Sequence, residues 1–542
     1  MQLVEMIGVM LEKEQVLHDL DMIRLMEKID ERMDRAQALK FLQKYLCGDA
    51  GELSQRSLLL GEFFEKSSQE ELDELSSDLA SMAEEKRKYD QSSDRLHLLL
   101  YTGRRMEIYV RCIEKMHDMS SRGFTSARFV ALFDKVEQIR SSAEYKACVE
   151  ALTEYHSRIT FPKVMMLAVN TQEDAHPTEM GVLWESVEEE ELNPLLEMQD
   201  AALPAKSLFS EMSYTRERYG THFEEYLSRS LEREWKNKVN KGMDLWKKVT
   251  APEEESIGAL WEEFAFYAVG LRVMNTFTKR GYQVCRPDMV QDVLLKAEGM
   301  VYPELVLNTD NIEGNPITLQ NGGGVIVTGA NHSGKTSYLK TIGQTILLAQ
   351  LGFYVPAASM AVRPVQHIYT LFSAGEDREM TASRMGVEIK ILAEMLEKVE
   401  QSDLVLINEP LTSTNPVEAI SICAELVQKF LEKKVSNLMV THLYDVYFLL
   451  KTTLPQELQP WLKSLVTQAY YDEAEGMVYS YKLVESEPLG NSYARQTAES
   501  FGITLQDLVK NPDELSVTNA FCEKEGAQTM YTREEADHGI SD

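Results

Sequence analysis

Gly329-Ala330-Asn331-His332-Ser333-Gly334-Lys335-Thr336 is the stretch whose residue types and spacing point most directly to chemistry. Flanking glycines let backbone N–H groups curl around an anion, and a helix starting behind them adds its positive end. Gly-x-x-x-x-Gly-Lys-Thr is the pattern of loops that cradle phosphates, and the flanks fit it. GVIV supplies a strand before the loop and SYLKTIGQTILLAQL an amphipathic helix after it. The expectation is an ATP site made of Gly329, Ala330, Asn331, His332, Ser333, Gly334, Lys335, Thr336 and Ser337. Lys335 would reach the β- and γ-phosphates, and the Thr336 hydroxyl would ligate magnesium.

Two further segments can complete such a site. Ser402-Asp403-Leu404-Val405-Leu406-Ile407-Asn408-Glu409-Pro410 reads as a buried strand ending in polar residues. A phosphate-binding loop commonly works with an aspartate at this point, which supports the magnesium shell. Here the position is Asn408, whose amide oxygen still accepts a hydrogen bond but lacks the charge. Glu409 is the candidate general base for the attacking water. Leu438-Met439-Val440-Thr441-His442 is another buried strand, and His442 at its end suits a sensor of the γ-phosphate. The catalytic set is therefore Lys335, Glu409 and His442, with Thr336 and Asn408 on the metal.

These residues need a sheet to hold them. From about residue 300, short β-rich segments (324–328, 404–407, 438–441) alternate with helix-length stretches, which predicts a mostly parallel sheet covered by helices. Before that the texture differs. Val16, Leu20, Ile23, Met26, Ile29 and Met33 recur at steps of three and four with charges between them, the period of an amphipathic helix. Proline is absent before Pro162. The expected organisation is a helical core or lever over 1–158, then a strand-bearing, clamp-like insertion over 159–206. A helical lever over 207–299 leads to an α/β ATPase domain over 300–513, and an acidic tail fills 514–542.

Bulk properties limit the partners. The chain has 542 residues and a formal net charge of −31. Nucleic-acid binding is driven by lysine and arginine displacing phosphate counterions, so DNA contact would need a local basic patch. The six cysteines lie far apart with no Cys-x-x-Cys pair, which argues against a zinc site or disulfide framework and fits a reducing cytoplasm. No apolar run approaches the length that crosses a bilayer, and the N-terminus does not read as a signal peptide.

The run GVIVTGANHSGKTSYLKTIGQTILLAQLGFYVPA, with NEPLTSTNPVEA and VTHLYDV following in order, resembles the ATPase core of the MutS family of DNA mismatch-repair proteins. The resemblance implies an ABC-type ATPase working as a homodimer, each subunit completing its partner's site. On that match Thr381–Glu388 is the family's signature segment, and Ser383 would reach the ATP of the opposite subunit. Ile312–Pro316 resembles the stretch covering the adenine, and Gly490-Asn491-Ser492-Tyr493-Ala494 a late family element. The likeness is specific over about 300–510, weaker over 254–299, and architectural only over 1–253. It implies ATP and magnesium as ligands and DNA, mismatched or branched, as cargo, with no membrane role. It also implies a relative without the family's mismatch-recognition domain.

The departures bear on the cargo. Gly61-Glu62-Phe63-Phe64-Glu65 matches the Phe-x-Glu wedge motif by letter, but in helix-patterned sequence, and reads as coincidence. Residues 164–205 contain no lysine or arginine and many acidic residues, so they cannot grip phosphates. The one basic concentration nearby, from Trp235 to Lys248, reads first as a solvated helix face. Two other readings stand beside a DNA-repair ATPase: an ATP-gated scaffold for a protein partner, and a transporter ATPase subunit. The latter is disfavoured because Leu-Ser-Gly-Gly-Gln is absent.

Overall fold

The protein is described by a computed structural model covering residues 14–162, 164–171, 177–186, 227–372, 384–472 and 476–488. It divides into two compact units, one of residues 1–57 with 273–542 and one of residues 58–272.

The first unit holds α1 (Met22–Ile29) and α2 (Arg35–Tyr45), and α3 (Ala50–Lys66) crosses into the second. α2 starts on a capping box, Asp34 and Gln37 each accepting from the other's backbone N–H, a device that stabilises a helix start by about 1 kcal/mol.

The second unit is helical as its periodicity predicts. α4 (Gln69–Gln91), α5 (Arg95–Ser120), α6 (Ala127–Ser141) and α7 (Ala143–Arg158) precede an antiparallel hairpin of β1 (Val164–Thr171) and β2 (Pro177–Ser186). α8 (Lys236–Trp246) follows, and α9 (Trp261–Lys279) returns to the first unit. α8 packs by Val239, Gly242 and Trp246, leaving Lys236 and Lys241 exposed. Gly242 is required there, because a Cβ would meet Leu99 at 2.5 Å. Phe63 of the Phe-x-Glu sequence has no exposed surface. Its ring lies 4.6 Å from Phe129 and 5.9 Å from Phe264, so it is a core side chain and no wedge.

The first unit then builds two sheets. Its described strands are β3 (Asp288–Met289), β4 (Val293–Met300), β5 (Asn315–Gln320) and β6 (Gly324–Thr328), followed by helix α10 (Lys335–Leu351). β7 (Ser359–Val362) and β8 (Ile368–Phe372) lead to α11 (Arg384–Lys398), β9 (Leu404–Asn408), α12 (Pro416–Glu432), β10 (Ser436–Val440) and α13 (Asp445–Thr453). β11 (Leu462–Asp472) and β12 (Gly476–Glu485) close the series. The larger sheet has the order β12-β11-β6-β10-β9-β8, parallel except for β12. Every residue of β6, β9 and β10 is buried, as strands covered on both faces require. The smaller sheet, β3-β7-β4-β5, is mixed.

The opening segment grips α10. Gln344 Nε2 donates to Leu20 O at 2.7 Å, Lys340 pairs with Asp21, and Thr370 Oγ1 on β8 donates to Asp19 at 2.7 Å. A Cβ on Gly343 would meet Leu20 at 2.5 Å. These contacts seat the helix behind the glycine-rich loop, and they put residues 14–57 in the sheet-bearing unit.

Candidate functional site

The loop 329–334 runs from the carboxyl end of β6 into α10. Gly329 (φ +140°), His332 (φ +63°) and Gly334 (φ +89°) hold left-handed or positive-φ backbone. Gly329 has a second constraint: a Cβ there would lie 1.8 Å from Thr467 Oγ1 on β11. No side chain but hydrogen fits. Ala330 and Ser333 are buried, whereas Asn331 and His332 face solvent. Ser333 Oγ lies 2.6 Å from Ala330 O and 2.6 Å from Thr467 Oγ1, which ties the loop to the neighbouring strand.

Lys335 is 4% exposed. Its Nζ donates to the carbonyl oxygens of Gly329 (3.1 Å) and Ala330 (2.7 Å). Burial pulls its pKa below the ordinary lysine value, and the Glu409 carboxylate opposes that. A desolvated ammonium whose hydrogen-bond partners are only carbonyls gains from an anion at the loop.

Thr336 Oγ1 donates to Asn408 Oδ1 at 2.9 Å, joining residues 72 apart in sequence at the ends of β9 and α10. Ser337 O accepts from Thr341 Oγ1 at 2.7 Å, inside α10. Among the described residues no three His, Cys, Asp or Glu side chains gather to hold a metal. A hydroxyl and an amide oxygen nonetheless suit magnesium, which takes few protein ligands and fills its shell with water and phosphate oxygens.

Glu409 follows β9 with φ +47°, and its N–H donates to Val440 O at 2.8 Å. On β10, Val440 is the register partner of Asn408. Thr441 N donates to Val327 O at 3.0 Å, and His442 comes next, its side chain exposed. Thus the loop, Asn408, Glu409 and Thr441 gather at one edge of the sheet. Ser383 and Gly490–Ala494 lie outside the described residues, as do the tail and most of the acidic stretch.

Thr467 and Tyr481 carry no sequence motif that would have revealed them, whereas Asn315, which ties to the Tyr481 strand, lies within the Ile312–Pro316 stretch. Thr467 sits 134 residues from Ser333. Asn315 receives Leu483 N–H on its Oδ1 (2.8 Å) and donates to Tyr481 O (2.8 Å). The Tyr481 ring in turn lies 3.2 Å from where a Cβ of Gly334 would stand.

Polar side chains and a glycine-rich loop at the carboxyl ends of adjacent parallel strands define an open-sheet α/β domain with its ligand site at the strand ends. Residues 325–523 match the family described as MutS domain V. MutS protein homolog 4 of Homo sapiens is 27% identical over 219 residues, which is 40% of this chain and 23% of that protein. The DNA mismatch repair protein MutS of Thermus thermophilus is 31% identical over 179 residues, 33% of this chain and 21% of that protein. Over these residues the chain is similar to the MutS family. It matches less than a quarter of the length of either relative. No helix among the described residues is long and apolar enough to cross a membrane.

Proposed function

We propose that the chain is a MutS-type ATPase that binds and hydrolyses ATP at Gly329–Ser337 and uses the cycle to change conformation on DNA. The process would be mismatch repair or a related repair or recombination reaction. The observation that carries this reading is the Thr336–Asn408 hydrogen bond of 2.9 Å, beside Glu409 and the buried Lys335. It unites the loop with the strand end that in this reading would supply the metal shell and the base.

In this reading Lys335 leaves its two carbonyl partners for the β- and γ-phosphates of ATP. Thr336 and Asn408 hold magnesium, which when bound neutralises charge across the phosphates. Glu409 accepts the proton of the attacking water as its oxygen bonds the γ-phosphorus and the bond to the β-phosphate oxygen breaks. His442, at the end of β10, senses the γ-phosphate. Ser383 completes the site of a second subunit in a homodimer.

Phosphate release from ATP by the purified chain, with Lys335→Ala as the control, tests the enzymatic claim. No magnesium-dependent release above that control sinks it.

A second reading, an ATP-gated scaffold for a protein partner, is favoured by one observation: residues 164–205 carry no lysine or arginine. Fluorescence anisotropy with duplex, mismatched and branched DNA at several salt concentrations separates the two. DNA binding that weakens as salt rises supports a DNA cargo, and none on any substrate leaves the scaffold.

A further inference from the structure

Glu409 and Leu411 both adopt left-handed backbone, φ +47° and +57°, on either side of Pro410. Such conformations are unfavourable for residues with a Cβ, most of all bulky ones, and persist only where surrounding contacts impose them. On one side the Glu409 N–H is fixed to Val440 O at 2.8 Å. On the other, the Leu411 N–H donates to Glu388 Oε2 at 2.9 Å, in a buried hydrogen bond between groups 23 residues apart.

Glu388 projects from the first turns of α11 and is 7% exposed. A carboxylate at such a depth is costly unless it accepts hydrogen bonds. Its charge is felt by neighbours: the Cys423 thiol is pushed up to about 12, by burial first and by Glu388 second. Leu392 and Met395 of α11 share one apolar cluster with Leu411, so helix and turn are packed as well as bonded together.

We propose that Glu388 is a positioning residue for the hydrolytic reaction. Through the Leu411 N–H it holds the turn 409–411 in the backbone that sets the Glu409 carboxylate against the glycine-rich loop. A displacement of α11 would then reach Glu409 through this bond, which links the base to the helix that begins within the family-like segment 381–388. The inference rests on the reading of Glu409 as the base.

Two conservative variants separate reach from charge. Glu388→Gln keeps the length and an acceptor oxygen but loses the charge. Glu388→Asp keeps the charge but falls one methylene short of Leu411. Steady-state phosphate release gives kcat, and equilibrium binding of a fluorescent ATP analogue gives affinity.

The expected result is a fall in kcat of about tenfold or more for Glu388→Asp, with affinity within twofold of the parent, and near-parental kcat for Glu388→Gln. In a Glu409→Gln background, Glu388→Asp should lower kcat little further, because the residue it positions is already disabled. A helix that merely needed Glu388 for folding would not give that non-additivity. The proposal is overturned if Glu388→Asp turns over like the parent, if affinity falls in step with kcat, or if Gln is the more damaging replacement. A parent that does not hydrolyse ATP overturns the underlying reading as well. A parent disabled by Glu409→Gln but indifferent to Glu388 overturns this inference alone.

Discussion

The two edges of the large sheet both bury polar side chains, yet they handle them in opposite ways. At the amino edge Asp403, which has no exposed surface, accepts from Glu400 N (2.8 Å), His367 N (3.2 Å) and His367 Nδ1 (3.1 Å). Nearby, Ser436 Oγ accepts from Gly322 N at 2.9 Å. These groups satisfy the chain's own backbone where it enters β8, β9 and β6, which is what a buried polar group requires. At the carboxyl edge the polar groups bond to each other and to their own loop: Lys335 to carbonyls, Thr336 to Asn408, Ser333 to Thr467. One edge is a set of closed internal contacts. The other is an arrangement that an anion and a cation can enter by exchanging weak partners for strong ones.

The sharpest way to break this contrast is to remove a charge from each edge. Lys335→Ala should lower ATP turnover by about 100-fold or more, the scale of losing one preorganised partner of developing charge. Melting behaviour without nucleotide should hardly change, since the side chain's own partners are only carbonyls. Asp403→Ala should do the reverse. It removes the acceptor of three part-buried hydrogen bonds, two of them from backbone N–H groups, and should cost about 1–3 kcal/mol of stability, with turnover per folded molecule unaltered. Calorimetry and phosphate release on both variants decide it. If Asp403→Ala lowers turnover as Lys335→Ala does, the edges are not functionally distinct.

How far the sequence reveals this contrast depends on how local each cause is. β6, β9 and β10 are continuous apolar runs between polar ends, and the glycine-rich loop carries its geometry in adjacent residues, so strand ends and loop are readable directly. The sequence pattern puts Asn408 and Thr336 on one metal, and their side chains do meet at 2.9 Å. The four-stranded sheet is not legible in the same way, because β3, β4 and β7 are short or alternating and pair across long stretches of chain. Residues 14–57 have helical periodicity, which says that a face is apolar but not what it meets. Their partners, Gln344, Lys340 and Thr370, lie more than 300 residues on. Asp403 looks in sequence like any strand-flanking carboxylate, and only its three donors mark it as structural.

On the proposed reading, Asn408 departs from the logic of the carboxyl edge, because a neutral amide stands where a carboxylate would bind a cation better. Asn408→Asp keeps the acceptor for Thr336 and adds the charge. Hydrogen bonds to ionised acceptors are roughly twice as strong as neutral ones. The magnesium concentration giving half-maximal turnover should therefore fall by about three- to tenfold, equivalent to about 0.7–1.4 kcal/mol. A magnesium titration that superimposes on the parent's would remove position 408 from the metal shell and leave it as a partner of Thr336 alone.

The smallest effect concerns the strand that braces the loop. Thr467→Val is nearly isosteric and leaves Ser333 its bond to Ala330 O at 2.6 Å, but it removes the hydroxyl that ties Ser333 to β11. A net hydrogen bond contributes about 0.5–1.5 kcal/mol, here to the ordering of the loop before nucleotide arrives. Affinity for ATP should fall by about two- to tenfold while kcat stays within about twofold, because no group assigned to the chemistry is touched. Unchanged affinity would mean that the positive-φ glycines and the packing of α10 fix the loop unaided. The closed contact between Thr467 and Ser333 would then belong with those of the amino edge, a structural bond that happens to lie beside the site.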